Sequence, residues 1–577
     1  MVKQAEGEPQ MSDTFSAFVD DFHSHMTRDP NDCVLLGVEK RLNDLPDPSL
    51  DQLDDEVAEA RALVSRAKGM NRDKLDFDNS LDLDLAVLQL ESDIYQDCLT
   101  FNDRLTGQQM PEAGSEISEG IFMMYINDPR PDEERLANIE ARLAKVPDYL
   151  DALIHRLDTP VRRWVEIDLE EVAGLPELFT DLQAWADRIG WADADRLKQT
   201  QATATSALRS YASQLGAMPT TDHFHLNEQA ARSIVSLAGI EPSLEDIHHM
   251  AVEFLAETGE VIEELRQRLC VKYGLDGATP TDALQLYLNQ RFAVSEPGSP
   301  LSRILDRYNE EQERILAFVK QQALFPIPEG QEMKILRTPG FMEPSIPAGA
   351  MEPPVAFREG LRTSLVYLTL SEELRNEHTE LSIPNMMIHE GIPGHHLQLA
   401  TAAMHPSVIR RHVSAEEHAE GWTTMLEDYM LDVGYMGELT DEVRFSAKRD
   451  ISRIGARVAI DLFFMTGNRD YLDVGAAVDV SSEDPFEAAG NLLAAVTGFV
   501  PGRVEAELNW YSQERGYPLS YLTGNRLVWQ LKHDLSVAQK GRLDGAELDR
   551  LFHRLYLESG NMPLSFLRRV FVHEGLL

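Results

Sequence analysis

The sequence is poor in cysteine and has no long apolar run. Its three cysteines, Cys33, Cys98 and Cys270, are far apart, which excludes a disulfide framework and a Cys-x-x-Cys metal site. No apolar stretch approaches the roughly 18 residues that a membrane-spanning helix needs. Residues 1–14 are polar and acidic and lack the apolar core of a signal peptide. These absences favour a reducing compartment, and we expect the protein in the cytoplasm.

Basic residues are scarce relative to acidic ones. The chain has 53 lysines and arginines against 97 aspartates and glutamates, and its formal charge is −44. Nucleic acids and anionic membrane surfaces repel such a chain, so neither is an expected partner. The acidic residues are spread along the sequence, which is typical of a solvated surface.

The hydrophobic pattern predicts a mostly helical chain in three parts. Residues 1–12 are expected to be disordered, and residues 13–325 read as a succession of helices, for example over 302–322. Residues 326–577 begin with an irregular stretch rich in proline and glycine. The strand candidate 364–370 follows, and it is either an edge strand beside the next segment or a buried core segment.

That next segment, 388–398, is the densest in chemically active groups and reads Ile-His-Glu-Gly-Ile-Pro-Gly-His-His-Leu-Gln. It contains the imidazoles of His389, His395 and His396 and the carboxylate of Glu390. Histidine is the commonest metal ligand, and a His-Glu pair followed by another histidine is the core of the zinc-hydrolase signature. In that signature the second histidine lies four residues on, about 6 Å along the helix and on the same face.

The histidine spacing in this chain differs from that signature. Four residues after His389 stands Pro393, which cannot ligate a metal, and the next histidines are out of reach on a straight helix. Pro393 and the glycine after it permit a break that could bring His395 or His396 back towards His389. The alternative is a helix that ends at Gly391, with the histidine pair beginning the next helix.

A catalytic zinc also needs a third protein ligand and an open position for water. Glu420 lies 24 residues after His396 (420 − 396), near the start of a helix predicted to reach Leu431. That distance allows one helix, a turn and an antiparallel return. Glu416 and Glu427 share roughly the same face of the helix, and composition alone would make each of these acids a solvated one.

The motifs resemble those of a known family. His-Glu-x-x-Pro-Gly-His-His-x-Gln at 389–398, followed by Glu-Gly-Trp at 420–422, is similar to the bacterial family of domain of unknown function 885, which is grouped with zinc metallopeptidases of the His-Glu-x-x-His clan. The resemblance implies a mainly α, large multi-helical, metallopeptidase-like fold with a deep cleft and a small β element near the active-site helix. It makes 326–577 the catalytic, metal-binding region of one continuous unit.

The resemblance also implies roles for the site residues. His389 and Glu420 become ligands of one zinc ion per chain, with His395 or His396 as the other ligand. We favour His395, because it needs the smaller insertion relative to the four-residue spacing. Glu390 becomes the general base, which takes a proton from the attacking water and passes it to the leaving amine.

Further candidates lie in family-like segments nearer the C-terminus. Tyr521 belongs to a Ser-Tyr-x-x-Gly element at 520–524, and its hydroxyl is a suitable donor to a developing oxyanion. Arg457, Asp461 and Arg503 could bind a substrate carboxylate or orient ligands, and structural salt bridges are the alternative.

Two positions depart from the family pattern. Leu522 stands where the family usually has lysine, and Met465 stands where an Asp-Thr-Gly-x-His element would end in histidine. We therefore expect a basic and a polar side chain to be missing beside the cleft. This loss concerns the substrate class and the reaction more than the metal site.

Three functional hypotheses follow. The leading one is a zinc-dependent hydrolase that cleaves peptide bonds in short peptides, since a deep helical channel excludes folded proteins. The second keeps the zinc but has the enzyme hydrolyse an amide or another C–N bond of a small metabolite. The third is a metal-free, inactive binding protein, which the histidine spacing and the two departures motivate.

Overall fold

The computed structural model describes residues 13–295, 298–338, 349–543 and 545–577. These residues form 22 α-helices and five short strands, so the prediction of a mainly helical fold is confirmed. The prediction of a disordered tail concerns residues 1–12, which lie outside the described residues. No helix in the described part of the chain is long and apolar enough to cross a membrane.

Twelve of these helices precede the main sheet. They are α1 (Asp13–Met26), α2 (Pro30–Leu36), α3 (Leu50–Lys68), α4 (Phe77–Asp97), α5 (Ala113–Ile126), α6 (Asp132–Arg156), α7 (Arg162–Ile189), α8 (Ala194–Leu215), α9 (Glu228–Leu237), α10 (Leu244–Tyr273), α11 (Thr281–Arg291) and α12 (Ser302–Gln322). The bounds of α12 are those predicted from the apolar spacing. A two-stranded hairpin, β1 (Thr100–Phe101) and β2 (Arg104–Leu105), follows α4.

A three-stranded sheet follows α12, within and beside the stretch predicted to be irregular. β3 (Gln331–Arg337) pairs in parallel with β5 (Arg362–Leu368), and β4 (Gly349–Glu352) pairs with the other edge of β5 in antiparallel orientation. The predicted strand is therefore β5, displaced by two residues. It is the central strand and is buried, so the core alternative is correct and the edge alternative is wrong.

The remaining ten helices carry the segment with the three histidines and the C-terminal motifs. They are α13 (Ser382–Glu390), α14 (His395–Ala403), α15 (Val408–His412), α16 (Glu416–Asp432), α17 (Thr440–Thr466), α18 (Pro485–Thr497), α19 (Pro501–Gln513), α20 (Ser520–Ala538), α21 (Gly545–Glu558) and α22 (Leu564–His573).

Buried apolar side chains join the N-terminal helices to the C-terminal ones. One core extends from Phe15 in α1 through Trp422 in α16 to Phe571 in α22. A second combines Trp164 of α7 with most of the apolar residues of α17. Each half of the chain thus buries its apolar surface against the other, which is the dominant stabilising contribution in a fold of this size.

Candidate metal centre

The histidine segment forms two helices joined at the proline and glycine, which is the alternative prediction of a helix that ends at Gly391 with the histidine pair beginning the next helix. Helix α13 ends one residue after His389, and α14 begins at His395. The intervening turn is so tight that a Cβ at Gly394 would lie 1.9 Å from the carbonyl oxygen of His389, so only glycine fits there. The indole nitrogen of Trp422, in α16, donates a hydrogen bond to the carbonyl oxygen of Pro393 at 2.9 Å. This bond fixes the turn against α16.

The break brings two imidazoles and one carboxylate together. His389, His395 and Glu420 each offer a ligand atom within 4.8 Å of the others, and we call these three residues the donor group. Glu420 Oε2 lies 3.6 Å from His389 Nε2 and 3.5 Å from His395 Nε2. The three residues are only 8%, 7% and 4% exposed. Among the residues that the structure describes, no other set of three such side chains could hold a metal ion.

His396 lies outside the donor group. Its Nδ1 is 2.7 Å from the hydroxyl oxygen of Ser364 on β5. Burial lowers the pKa of His396 to about 4, so its ring is neutral at ordinary pH. Of the two histidines that the sequence left open, the fold therefore brings His395 to His389 and pairs His396 with the sheet.

The carboxylate of Glu420 is incompletely satisfied. Its Oε1 accepts a hydrogen bond from the Tyr517 hydroxyl at 3.1 Å, whereas Oε2 is buried and has no hydrogen-bond partner within the described residues. Burial raises the pKa of Glu420, but the charge of His395 and the contacts with both imidazoles outweigh it and bring the pKa below its ordinary range. A buried anionic oxygen without a partner is costly, and a cation between it and the imidazoles removes that cost. Two imidazole nitrogens and one carboxylate oxygen are also a donor set of catalytic zinc, so these residues fit the ion.

A second glutamate orients His389 from the other side of its ring. His389 Nδ1 lies 2.9 Å from Glu427 Oε1, and Glu427 Oε2 accepts a hydrogen bond from Asn385 Nδ2 at 3.0 Å. Burial lowers the pKa of His389, but contacts with Glu420 and Glu427 outweigh it and raise the pKa to about 10. Glu427 thus directs Nε2 towards the donor group, a role typical of the carboxylate behind a metal-bound histidine. The sequence placed Glu427 on the face of Glu420, two helical turns away, but did not predict this role.

Glu390 and the donor group are neighbours. Glu390 is the last residue of α13 and is half-buried, and its charge contributes to raising the pKa of His389. The predicted general base therefore lies beside the predicted ligands.

Helices α16 and α20 approach backbone to backbone at two glycines. A Cβ at Gly524 would lie 2.0 Å from the carbonyl oxygen of Glu417, and a Cβ at Gly421 would lie 2.5 Å from the carbonyl carbon of Gly524. These glycines are those of the Glu-Gly-Trp and Ser-Tyr-x-x-Gly elements. Because larger residues would separate the helices, the glycines explain how Tyr521 comes close to Glu420.

Two tyrosines face the carboxylate of Glu420. Tyr521 lies in the first turn of α20, and its ring is 5.9 Å from that of Tyr517. Burial raises the pKa of both hydroxyls well above the ordinary value, and the charge of Glu420 raises them further. Both are therefore proton donors at ordinary pH. Tyr517 was not predicted from the sequence; it lies in the turn before α20, so helical spacing from Tyr521 gives no signal for it.

Asp461 and Arg457 hold the segment 516–521, which contains both tyrosines and which we call the tyrosine segment. Asp461 is fully buried and accepts hydrogen bonds from the backbone amides of Gly516 and Leu519, both at 3.1 Å, and burial raises its pKa to about 7. Arg457 is buried, and its guanidinium lies 4.4 Å from the ring centre of Tyr521. Its donors are already engaged, by Glu507 and Tyr511 at 2.8 Å each.

Arg503 is held less tightly than Arg457. Its guanidinium lies 3.6 Å from the ring centre of Phe499. The nearest acidic oxygens, of Asp450, Glu377 and Glu507, are 3.7–3.9 Å away, which is too long for a hydrogen bond. Its Nε has no hydrogen-bond partner in the described ranges. Arg503 therefore has donors to offer to another molecule.

The two departures from the family pattern occupy the apolar core. Met465 and Leu522 are both fully buried in the core that α17 and α20 share. Both side chains contribute to packing, so a lysine or histidine at these positions would need space within this core.

Comparison with known proteins agrees with this architecture. No curated protein matches the chain. A solved structure of a proposed lipoprotein of unknown function from Shewanella oneidensis superposes with a TM-score of 0.74, at 17% identity, and the match covers 98% of this chain and 100% of that one. A proposed lipoprotein from Colwellia psychrerythraea superposes with a TM-score of 0.78, at 15% identity, over 97% of this chain and 99% of that one. At such identities the likeness shows the fold alone.

A family model gives the closer assignment. The model described as a bacterial protein of unknown function (DUF885) matches residues 30–571, which include the donor group and the tyrosine segment. The chain therefore belongs to the DUF885 family of bacterial proteins.

Proposed function

We propose that this protein is a zinc-dependent hydrolase that cleaves peptide bonds in short peptides. The observation that carries the proposal is the buried Oε2 of Glu420, which has no hydrogen-bond partner among the described residues and faces two imidazoles. Zinc, when bound, would polarise the scissile carbonyl and lower the pKa of an attacking water. His389, His395 and Glu420 would hold the ion, and Glu427 would keep the first ring in position.

Glu390 and Tyr521 supply the proton chemistry in this proposal. Glu390 accepts a proton from the attacking water and passes it to the leaving amine. The Tyr521 hydroxyl, which stays protonated beside Glu420, donates a hydrogen bond to the carbonyl oxygen as negative charge develops there. Tyr517 is committed to Glu420, so its role is to hold the carboxylate in place.

The substrate follows from burial and charge. The donor residues are less than a tenth exposed, which supports a narrow, extended peptide as the substrate over a folded protein. Arg503 retains donors for a substrate carboxylate, whereas Arg457 is engaged and acts by positioning Tyr521.

We assign the protein to the cytoplasm, since Cys33, Cys98 and Cys270 are unpaired thiols.

Hydrolysis of an amide or another C–N bond in a small metabolite is the second candidate. It would use the same ligands and the same base, and the long contacts of Arg503 equally suit a small carboxylate. A peptide library assayed beside small amides separates these two reactions by their products.

Metal content of the purified protein tests the proposal first. We expect about one zinc per chain by elemental mass spectrometry, and only background zinc in His389→Ala. Glu390→Gln should retain the zinc and lose about 10²- to 10⁴-fold in peptide hydrolysis. Glu313→Gln removes the same charge from an exposed position on α12 and should change neither quantity.

The outcomes separate the three hypotheses. Absence of zinc in the wild type, even after reconstitution, would overturn both hydrolase proposals and favour the metal-free binding protein. Zinc without peptide cleavage, but with cleavage of small amides, would overturn only the choice of substrate.

A further inference from the structure

Four arginines lie together near the start of β5, in a chain with 97 acidic residues against 53 basic ones. They are Arg130, Arg358, Arg362 and Arg411, and we call them the arginine cluster. Two of them, Arg130 and Arg358, line a cavity of about 630 Å³ together with Phe357. This cavity shares no lining residue with the donor group.

Arg362 and Arg411 have donors without partners. Nε and Nη1 of Arg362 and Nε of Arg411 are buried, and none of them has a hydrogen-bond partner in the part of the chain that the structure describes. Each carries the full charge of a guanidinium, and no ion pair within those residues engages either side chain. In so acidic a chain a carboxylate partner is the ordinary arrangement, so these unmatched guanidinium groups require an explanation.

The nearby acidic groups do not neutralise the cluster. Asp128 is almost fully buried, and Arg130 engages both of its oxygens. Arg358 lies 4.0 Å from the same carboxylate and donates to the carbonyl oxygen of Asn127 at 3.1 Å. Two exposed glutamates, Glu39 and Glu359, also line the cavity, and a third, Glu134, lies 3.9 Å from Arg130. Within the described residues, none of these carboxylates forms an ion pair with Arg362 or Arg411.

Arg411 is held in position by an aromatic group. Its guanidinium lies 4.5 Å from the ring centre of Phe357, and its Nη1 donates to the carbonyl oxygen of Ala356 at 3.3 Å. Phe357 packs in turn on His412 and His23, at 4.5 Å and 4.7 Å between ring centres. Because the ring fixes the arginine, little side-chain freedom is lost when a ligand binds.

We propose that the arginine cluster binds a small organic oxyanion, a phosphate monoester or a carboxylate, which is held by Arg358 on the wall of the cavity and by the guanidinium groups of Arg362 and Arg411 beside it. Guanidinium groups match such anions with paired N–H donors. The charge of Arg362 lowers the pKa of both Arg358 and Arg411, in addition to the effect of burial, and a bound anion would relieve that repulsion. The site is independent of the proposed hydrolase activity and does not require zinc.

Titration calorimetry on the full chain at low ionic strength tests the site. Phenyl phosphate, benzoate and inorganic phosphate are the probes, and we expect the wild type to bind at least one of them with a dissociation constant below about 1 mM. Arg362→Gln and Arg411→Gln should each weaken binding about tenfold or more, since each removes charge-assisted hydrogen bonds. Arg526→Gln is the matched control, because it removes the same charge from a surface pair with Glu257 at 2.6 Å.

Arg362→Lys keeps the charge but loses the paired donors, and it should bind between the wild type and Arg362→Gln. Thermal unfolding shows whether each variant is folded. If Arg362→Gln is not folded, the comparison of Arg411→Gln with the wild type tests the site. Preference for phenyl phosphate, benzoate or inorganic phosphate identifies a phosphate monoester, a carboxylate or free phosphate. The proposal would be overturned if none of the three probes binds at about 5 mM, which would limit the binding free energy to about 3 kcal/mol. Equal binding by the wild type and both glutamine variants would also overturn it.

Discussion

Two buried glutamates show how the metal centre differs from the structural ion pairs of this fold. Glu311 of α12 is fully buried, and the chain satisfies both of its oxygens. Arg307 and Arg314 bind Oε2 at 2.7 Å and 2.8 Å, and the hydroxyl of Tyr435 donates to Oε1 at 2.5 Å. Glu420 of α16 is nearly as buried, yet only one of its oxygens accepts a hydrogen bond within the described residues.

The difference teaches that burial of a carboxylate does not by itself indicate function. Glu311 is surrounded by arginines, which neutralise it without any other molecule. Glu420 is surrounded by two imidazoles and a tyrosine hydroxyl, which coordinate or donate but bring no permanent positive charge. An unsatisfied carboxylate oxygen beside two imidazole nitrogens is the feature that indicates a cation site.

The largest expected effect separates the two neighbouring histidines. His395→Ala should reduce zinc from about one per chain to background, because it removes a ligand from the donor group. His396→Ala should keep the zinc, since that ring pairs with Ser364 on β5. Elemental mass spectrometry on both variants measures this, and full zinc in His395→Ala would mean that the donor group is not the metal site.

The next effect concerns the rate of hydrolysis. Tyr521→Phe should keep the zinc and lower kcat/KM about 10²- to 10³-fold, through the loss of a hydrogen bond to the developing oxyanion. Tyr517→Phe should have a smaller effect on the rate, because its hydroxyl is engaged by Glu420. Steady-state kinetics on the best peptide of the library compares them, and a larger loss in Tyr517→Phe would reverse the two roles.

A smaller effect is expected at the glutamate behind His389. Glu427→Gln should lower the affinity for zinc about 10- to 100-fold, because the ring of His389 loses the carboxylate that orients it. Asp428→Asn, on the next position of α16, removes a charge that pairs with Arg444 and Lys448 and should leave zinc affinity unchanged. Competition with a chelator gives the affinities, and equal values for both variants would exclude an orienting role for Glu427.

The smallest effect on metal is expected at Glu311. Glu311→Gln should leave zinc content unchanged and lower the free energy of unfolding by about 3 kcal/mol, because the buried carboxylate that Arg307 and Arg314 bind loses its charge. Urea unfolding and zinc content together test this. Loss of zinc in Glu311→Gln would break the distinction between the two glutamates.

The sequence located many elements and most of the candidate site. The bounds of α12 follow from the apolar spacing along that helix. Such features depend on residues a few positions apart, so a linear pattern contains them. The strands β3 and β4 were missed, since each is stabilised by pairing with β5 across the sheet.

The sequence by itself determined that His389, Glu390 and Glu420 are candidate metal and base groups, and that the proline and glycine permit a break in the histidine segment. Only the tertiary structure decided which histidine joins His389. That choice depends on the direction in which α14 leaves the turn, which is fixed by Trp422 of α16 and by the contact of His396 with Ser364. The arginine cluster could not be predicted either, because Arg130, Arg358 and Arg411 come from distant segments of the chain. The unpartnered donors of Arg362 and Arg411 within the described residues likewise depend on the tertiary structure.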